Sequence, residues 1–522
     1  MHAKTLISNI FLMSALTLFA VLGGCGGEDA GDPGAAPSTG GAGGPTATAG
    51  QGGAQDIGAF RAILDQGLLP GPHTLDDVGF FNEHAFETDR DPCPDNLCVA
   101  GRLGVQGNML NGGNCTVVMV TMSTGAVVDL EQRPPLNLAI AVDTSQAMAG
   151  ASIEAVRSSL SLMRTELRAD DRVTLVAFDS TARLIVDGAA GDDPNLQLWF
   201  DNLRAEGKTN LYDGLRLALE AVERHRGEGR TDRVVLLSGS RPDTGILLAD
   251  RIVRLMESFG RQGTGLTAIG YGQSATLDLP LLTRLAESGA GNLYTVADAQ
   301  DLLEVFTEEL TTALVPVATD VQIAFEGSEG YKVRAIHGTH RAEITDLHGA
   351  SIDIPAVFVA HRKGASDNAN GRRGGGGAIL IELAPSNGVV TSDVGALHLS
   401  WRAPGSDAVH EQLVEITSRL SPGETPEAGL FDDAAVEKGF VALNVYVGLR
   451  VAAIAAQRGD LQDALGTLAA LDRSVTSWVA LNDDADIADD LALVQQFVNN
   501  LIAAGAIAPP PSWVVPDPWP QD

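Results

Sequence analysis

The apolar positions of this chain follow different periods in different segments, and the first clear pattern lies between residues 135 and 314. Residues 136–142 form a continuous apolar run, which is typical of a strand buried on both faces of a parallel sheet. The next apolar residues recur at helical spacing and form one stripe: Ile153, Val156, Leu160, Met163 and Leu167. Because strand-like and helix-like runs alternate in this way up to residue 314, we predict an α/β domain with a doubly wound, mostly parallel, Rossmann-like sheet.

Residues 315–427 change to short runs in which apolar and polar side chains alternate. One such run is 321–325, and turn residues separate it from the next. Several short strands with this spacing predict a β-sandwich-like domain. The glycine-rich run 363–377 contains Arg372 and Arg373, and we expect it to be a mobile, solvated insertion in that domain.

Residues 428–506 return to helical spacing and predict a C-terminal helical segment. Asp460 follows Gly459 between two apolar stripes, which is typical of a helix-to-helix corner with aspartate as the N-cap. Residues 507–522 are rich in proline and tryptophan and predict an extended tail. Its tryptophans, Trp513 and Trp519, either fold back on the body of the protein or offer a short docking strip.

Residues 1–24 have the composition of an export signal rather than of a folded element. Lys4 precedes an apolar stretch that ends in Leu22-Gly23-Gly24-Cys25, and this ending resembles a bacterial lipobox. The resemblance implies cleavage before Cys25 and lipid attachment to its thiol, which anchors the protein to a membrane. An ordinary cleaved signal with an incidental cysteine is the alternative. Residues 25–56, almost all small, predict a flexible tether, and residues 57–134 predict a β-rich flanking segment.

The chain is strongly acidic, and this limits the classes of partner. It contains 67 Asp and Glu residues against 35 Lys and Arg residues, for a formal net charge of −32. Because a chain of this charge repels phosphate backbones, we expect no nucleic-acid partner. The sequence contains no Gly-x-Ser-x-Gly elbow, P-loop or His-Glu-x-x-His motif, so it matches none of these catalytic classes.

Lipidation of Cys25 would leave three cysteines, Cys93, Cys98 and Cys115. Export permits a disulfide, and three thiols form one bridge with one thiol left over. A Cys98–Cys115 bridge would pin a loop to an adjacent strand, whereas a Cys93–Cys98 bridge would close a small turn flanked by proline. The spacing leaves both pairings open, and Cys98–Cys115 is the one we carry forward.

Polar oxygen-bearing side chains follow the buried strands of the predicted α/β domain. Asp143 and Ser145 come directly after the apolar run 136–142, and Thr209 precedes a later amphipathic stretch. In an open α/β sheet, the loops that leave the carboxyl ends of the strands form the ligand crevice. Hard oxygen ligands gathered there suit a small divalent cation such as Mg²⁺ or Mn²⁺.

These residues resemble the von Willebrand factor type A (VWA) domain and its metal-ion-dependent adhesion site. The family pattern is Asp-x-Ser-x-Ser, then a distant Thr, then an Asp at the end of a later strand. This chain keeps Asp143, Ser145 and Thr209, but Ala147 and Gly239 stand at the other two positions. Oxygen atoms that would compensate are offered by nearby residues: Ser238, Ser240 and Asp243. The resemblance therefore implies a degenerate site with no certain cofactor and only weak binding of Mg²⁺ or Mn²⁺.

The order of the segments is similar to that of VWA lipoproteins of the YfbK type in bacteria and, loosely, of inter-α-trypsin-inhibitor heavy chains. This similarity implies a non-enzymatic protein-binding or scaffold module, anchored by lipid in the bacterial cell envelope, with an unidentified protein partner. The alternative is an exported enzyme whose active site the motifs above do not reveal. A positioned nucleophile and base would favour the enzyme, and the sequence shows no such pair.

Anchoring leads to the first prediction. Changing Cys25→Ser should move the protein from the membrane fraction toward uncleaved precursor, because serine offers no thiol for the lipid. The measurement is the mass of the mature N-terminal peptide, together with membrane fractionation. A mature N-terminus without lipid mass in the unsubstituted protein would refute the anchor.

Overall fold

The computed structural model describes most of the chain from residue 47 onward. The described ranges are 47–86, 93–125, 133–227, 229–272, 276–296, 299–312, 316–360, 372–374, 376–386, 391–420, 429–510 and 513–516. The predicted signal peptide, Cys25, the first part of the tether and Trp519 lie outside these ranges, so the predictions for them stay predictions.

The secondary-structure elements are numbered here in chain order. The strands are β1 (Ala47–Gln51), β2 (Gly53–Ala54), β3 (Cys98–Gly107), β4 (Asn114–Thr124), β5 (Leu136–Asp143), β6 (Arg172–Phe178), β7 (Ala182–Ala190), β8 (Thr231–Ser238), β9 (Gly265–Tyr271), β10 (Asn292–Val296), β11 (Pro316–Gly327), β12 (Tyr331–His337), β13 (Ala342–Ile344), β14 (Gly349–Val359), β15 (Ile379–Pro385), β16 (Asp393–Arg402), β17 (Val409–Thr417) and β18 (Leu430–Phe431). The α-helices are α1 (Gly58–Asp65), α2 (Asp77–Asn82), α3 (Ala151–Met163), α4 (Leu196–Asp201), α5 (Leu211–His225), α6 (Ala249–Gly260), α7 (Leu279–Ser288), α8 (Ala299–Thr312), α9 (Ala434–Arg458), α10 (Leu461–Val479) and α11 (Ala485–Ala503).

A seven-stranded sheet in the order β2-β10-β9-β8-β5-β6-β7 forms the centre of the α/β domain. Its strand pairs are parallel except β6 with β7, which is antiparallel. Every residue of β5 is buried, because helices cover both faces of the sheet: α3 and α8 on one face, and α5, α6 and α7 on the other. The predicted doubly wound, mostly parallel sheet is confirmed.

Part of the predicted tether is folded, contrary to the expectation from its composition. β1 pairs with β14 and β4, and β2 pairs with β10 at the edge of the parallel sheet. Backbone hydrogen bonds, rather than apolar side chains, hold these strands, so small residues suffice. A Cβ at Gly52 would lie 2.5 Å from the carbonyl oxygen of Gly291, and a larger residue therefore could not approach this closely. The predicted tether is thus folded from residue 47 onward.

The second sheet has eleven strands, and its pairs are antiparallel. Its main path is β12-β15-β4-β1-β14-β11-β16-β17, while β3 pairs with β4 and β18. The predicted flanking segment and sandwich-like segment thus share one sheet. The side-chain amide of Gln412 on β17 donates to the carbonyl of Val99 on β3 and accepts from its N–H, both at 2.9 Å. These two hydrogen bonds join β17 to β3, and the strands of the sheet surround an apolar core.

The C-terminal helices α9, α10 and α11 pack with α1 and α2 against the outer face of the antiparallel sheet. Within the described chain, α9 is the single helix with the length and apolarity of a membrane span. Its most apolar 18-residue window has a mean hydropathy of 1.7, and 72% of that window is buried inside the protein. The tail residue Trp513 folds back on α10, where its indole Nε1 donates to the Asp463 carboxylate at 3.0 Å.

The disulfide joins Cys93 to Cys98, so the Cys98–Cys115 pairing is wrong. The register of β3 with β4 places Cys98 opposite Ser123 and Cys115 opposite Gln106. Cys98 and Cys115 therefore lie at opposite ends of the ladder, too far apart for a disulfide. The Cys115 thiol is buried under α9, and burial raises its pKa.

Arg372 and Arg373 are buried, contrary to the predicted solvated insertion. The Arg372 guanidinium contacts the Asp490 carboxylate and lies 3.7 Å from a carboxylate oxygen of Glu83. The His84 imidazole also bonds Asp490, with 2.8 Å between Nε2 and Oδ2. Burial would raise the pKa of Asp490, but Arg372 and His84 hold this pKa well below its usual range. An arginine can be buried here because carboxylates from distant segments surround it.

The second prediction concerns this buried cation. Replacing Arg372→Met should lower the free energy of unfolding by about 3–5 kcal/mol, because the buried Asp490 carboxylate would lose its arginine partner and keep only His84. Since the folded pKa of Asp490 is depressed, the loss should be greatest above about pH 4 and shrink as the pH falls below it. Urea unfolding at several pH values measures both effects. The exposed residue Arg254 provides the control, and Arg254→Met should change stability by less than about 0.5 kcal/mol. Equal losses in the two variants would contradict the assignment.

Candidate functional site

The crevice lies at the carboxyl edge of the parallel sheet, where three loops meet. Asp143 ends β5, Thr209 precedes α5, and Gly239 follows β8. One carboxylate oxygen of Asp143 accepts from the Gly239 N–H at 2.9 Å, and the Thr209 hydroxyl lies 2.6 Å from that of Ser240. The structure therefore brings the predicted site residues together around the loop that begins at Gly239.

Asp143 is completely buried, and its carboxylate already has two donors. Its second oxygen accepts from the Ser145 N–H at 2.8 Å, while the first accepts from Gly239. Burial raises the pKa of Asp143, and the two backbone donors oppose this rise. The Ser145 hydroxyl lies near the same carboxylate, but it is buried and has no hydrogen bond of good geometry to any described atom.

Gly239 stands where the family pattern has a carboxylate, and Met148 fills the adjacent space. A Cβ at Gly239 would lie 2.1 Å from Met148 Sδ and 3.1 Å from its Cγ. Met148 is 1% exposed and ends the short 3₁₀ turn Gln146–Met148. The sequence shows that the carboxylate is missing at position 239. It does not show the contact with Met148, because an isolated apolar residue after a loop predicts only that the residue packs in the core.

The three residues that would compensate for the lost ligands are engaged in hydrogen bonds, one within the loop after β8 and the others between this loop and the Thr209 loop. The Ser238 hydroxyl donates to the Ser240 carbonyl at 3.0 Å, and the Ser240 hydroxyl pairs with that of Thr209. Asp243 accepts from the Thr209 N–H at 2.7 Å, and its own N–H donates to the Thr209 carbonyl at 3.1 Å. These contacts fasten the Thr209 loop to the loop after β8 and hold the crevice in one conformation.

A second polar cluster lies where three segments meet. His340 Nε2 is 2.7 Å from an Asp77 carboxylate oxygen at α2, and Nδ1 is 2.5 Å from a Glu287 oxygen on α7. Asp76 lies 3.9 Å from the same ring. The ligand atoms of Asp76, Asp77 and His340 lie within 4.8 Å of one another, close enough to hold a metal ion.

A proton fits this cluster better than a metal ion does. Burial lowers the pKa of His340, but the hydrogen bonds to Asp77 and Glu287 outweigh it and raise the pKa to about 11. At neutral pH the ring is thus an imidazolium with a carboxylate at each nitrogen. A metal would have to displace that proton before it gained the nitrogen ligand. The cluster therefore joins the three segments through a charged histidine.

Comparison with known proteins supports the assignment of the α/β domain. Residues 138–241 match the family model described as "von Willebrand factor type A domain". The uncharacterised protein YfbK of Escherichia coli (strain K12) is 25% identical over 385 residues, which cover 69% of this chain and 65% of YfbK. Inter-α-trypsin inhibitor heavy chain H3 of Mesocricetus auratus is 24% identical over 201 residues, 37% of this chain and 22% of that protein. This protein thus contains a VWA domain and is distantly related to YfbK, and it spans less than two thirds of either relative.

Among solved structures, the von Willebrand factor type A protein from Catenulispora acidiphila superposes with a TM-score of 0.47 and 15% sequence identity. The superposition covers 73% of this chain and 86% of that one. In this protein the crevice lies at the carboxyl edge of the parallel sheet, which is the edge where open α/β sheets bind ligands.

The third prediction tests the charged histidine. Replacing His340→Gln should lower the free energy of unfolding by about 1 kcal/mol, since its side chain is 37% exposed and solvent screens its pairs. Because its folded pKa is raised, the stabilisation should be complete below about pH 6.5 and decline as the pH rises toward 11. Thermal unfolding at pH 6 and pH 9 measures this difference, with the exposed His73→Gln as control. Stabilisation by micromolar Zn²⁺ that His340→Gln abolishes would show a metal in place of the proton.

Proposed function

We propose that this protein is a non-enzymatic protein-binding module of the bacterial cell envelope, exported and held at a membrane by lipid on Cys25. Its partner docks on the VWA crevice loops without a resident metal ion. The observation that carries this proposal is the state of Asp143: the carboxylate at the centre of the crevice has backbone donors on both oxygens. The crevice is thus ordered by the protein's own groups.

The residues of the crevice do not fit a tightly held dication. One buried carboxylate and a few hydroxyls are a weak set for an ion that must give up its hydration. The hydroxyls of Thr209 and Ser240 are paired with each other, and Met148 fills the space beside Gly239. In metal-dependent VWA proteins a carboxylate of the partner completes the coordination of the ion. Recognition here therefore rests on packing and ordinary hydrogen bonds.

The rim of the crevice supplies such a surface. Lys208 and Arg241 are exposed on the two loops that Asp243 ties together. Leu247 and Leu248 follow the second loop and are 54% and 58% exposed. Adjacent exposed leucines beside cationic side chains suit a partner segment that carries apolar residues and negative charge.

A binding role also agrees with the chemistry available in the crevice. In the part of the chain that the structure describes, the Ser145 hydroxyl has no hydrogen bond to a base. A serine nucleophile requires a neighbouring base to remove its proton. The crevice thus offers an ordered surface and a buried hydroxyl that makes no well-aligned hydrogen bond to a base.

The fourth prediction tests recognition without metal. A partner identified by crosslinking in envelope extract and then purified should bind the protein, without crosslinker, equally well in the presence of EDTA. Lys208→Glu and Arg241→Glu should slow association roughly tenfold at low ionic strength and weaken its salt dependence. Leu247→Ser should speed dissociation, because the apolar contact is lost. Binding kinetics with the purified partner measure each effect.

The matched control lies on the antiparallel sheet. Leu413 on β17 is 57% exposed, and Leu413→Ser should leave binding unchanged. This substitution is preferable to deleting residues 315–427, because β1 and β4 would lose their partners β14 and β15. Loss of binding with Leu413→Ser but not with the crevice variants would transfer the role to the antiparallel sheet. Release of the partner by EDTA would overturn the metal-free mechanism.

A further inference from the structure

We infer that Met148 is an internal plug: its thioether occupies the volume that a metal-binding carboxylate at position 239 would need. On this inference, Met148 and Gly239 form a coupled pair that excludes a dication from the crevice. The inference deepens the proposed function and rests on the same crevice. Its test requires no partner, so the two can fail separately.

The first support is steric. A Cβ at Gly239 would meet Met148 Sδ at 2.1 Å, and real carbon atoms do not approach sulfur so closely. Met148 is buried in the apolar core that fills one face of the parallel sheet, together with Leu237 and Tyr271. A side chain at 239 therefore requires the flexible Met148 side chain to adopt another rotamer within this closely packed core. A glycine at 239 and a methionine at 148 therefore accommodate each other.

The second support is chemical. A thioether is a weak acceptor and a soft ligand, whereas Mg²⁺ and Mn²⁺ prefer carboxylate and hydroxyl oxygens. A carboxylate at 239 would be pressed against this sulfur with no donor from it, and a buried unpaired charge is costly. Met148 fills the place of the carboxylate with an uncharged group. The crevice therefore has no carboxylate at 239 whose charge a cation would have to balance.

The third support is the hydroxyl of Ser145. It is 1% exposed, lies beside the Asp143 carboxylate and makes no hydrogen bond of good geometry among the described residues. Buried polar groups in folded proteins usually have a well-aligned partner. A poorly bonded hydroxyl next to a buried carboxylate is a ligand already in position. The crevice therefore retains two ligands of a metal site, Asp143 and Ser145, while Met148 occupies the place of the carboxylate at position 239.

The experiment restores the missing ligands in the full-length protein. The test variant carries Ala147→Ser, Met148→Ala and Gly239→Asp, and the matched comparison carries Ala147→Ser and Gly239→Asp with Met148 retained. Mn²⁺ binding is measured by calorimetry, and the melting temperature with and without Mn²⁺ provides a second readout. We expect the test variant to bind Mn²⁺ at least tenfold more tightly than both the unsubstituted protein and the comparison. Adding Asp143→Ala should abolish the gain.

A single variant serves as the control, and a second triple variant covers the case in which the first does not fold. Met148→Ala alone should bind no more Mn²⁺ than the unsubstituted protein, because an empty volume without a carboxylate is not a site. Replacing a buried methionine by alanine lowers the free energy of unfolding by about 2–5 kcal/mol. A second triple variant therefore carries Met148→Val in place of Met148→Ala, since valine retains part of the volume and lacks the sulfur and the terminal methyl group. Circular dichroism establishes which variants are folded.

Three results would overturn the inference. Equal affinity of the test variant and the comparison variant with Met148 retained would show that Met148 is no obstacle. A folded triple variant that binds no Mn²⁺ at millimolar concentration would show that the crevice keeps no ligands of a metal site. Micromolar Mn²⁺ binding by the unsubstituted protein, lost with Asp143→Ala, would show that no plug exists.

Discussion

The burial of carboxylates is the constraint on which the rest of this structure depends. With 67 acidic residues against 35 basic ones, the chain cannot pair every carboxylate with a cation. Those that are buried must nevertheless find donors, because an unpaired buried charge would destabilise the fold by several kcal/mol. The structure meets the requirement with different donors at different places: backbone N–H groups at Asp143, Arg133 at Asp171, Arg372 and His84 at Asp490, and an imidazolium at Asp77.

These donors also decide how the segments are joined. Arg372 links the antiparallel sheet's glycine-rich run to α11, and His340 links that sheet to α2 and to α7 of the VWA domain. At the crevice the buried carboxylate is paired with backbone donors and not with a cationic side chain. Backbone N–H groups of Ser145 and Gly239 donate to the two oxygens of Asp143, and they tie the loop after β5 to the loop after β8.

Local periodicity was sufficient to predict the parallel sheet, its helices and the C-terminal helical segment, since each depends on a pattern within one stretch of residues. It also brought Asp143, Ser145 and Thr209 to one edge, because parallel strands end together. It did not reveal Met148 beside Gly239 or the burial of Arg372, since both depend on contacts between segments distant in sequence. The disulfide was undecided for the same reason, because the register of β3 with β4 determines which cysteines can meet.

The strands at residues 47–54 have a consequence for the order in which the molecule folds. β1 lies between β4 and β14, and β2 lies beside β10, so neither can be placed until much later parts of the chain exist. Such long-range pairing slows folding, and an apolar strand that stays unpaired during this time would promote aggregation. The unpaired strand here is Ala47-Thr48-Ala49-Gly50-Gln51, which has no large apolar side chain. The composition that makes this segment look unstructured in the sequence thus suits a strand that is synthesised early and docked last.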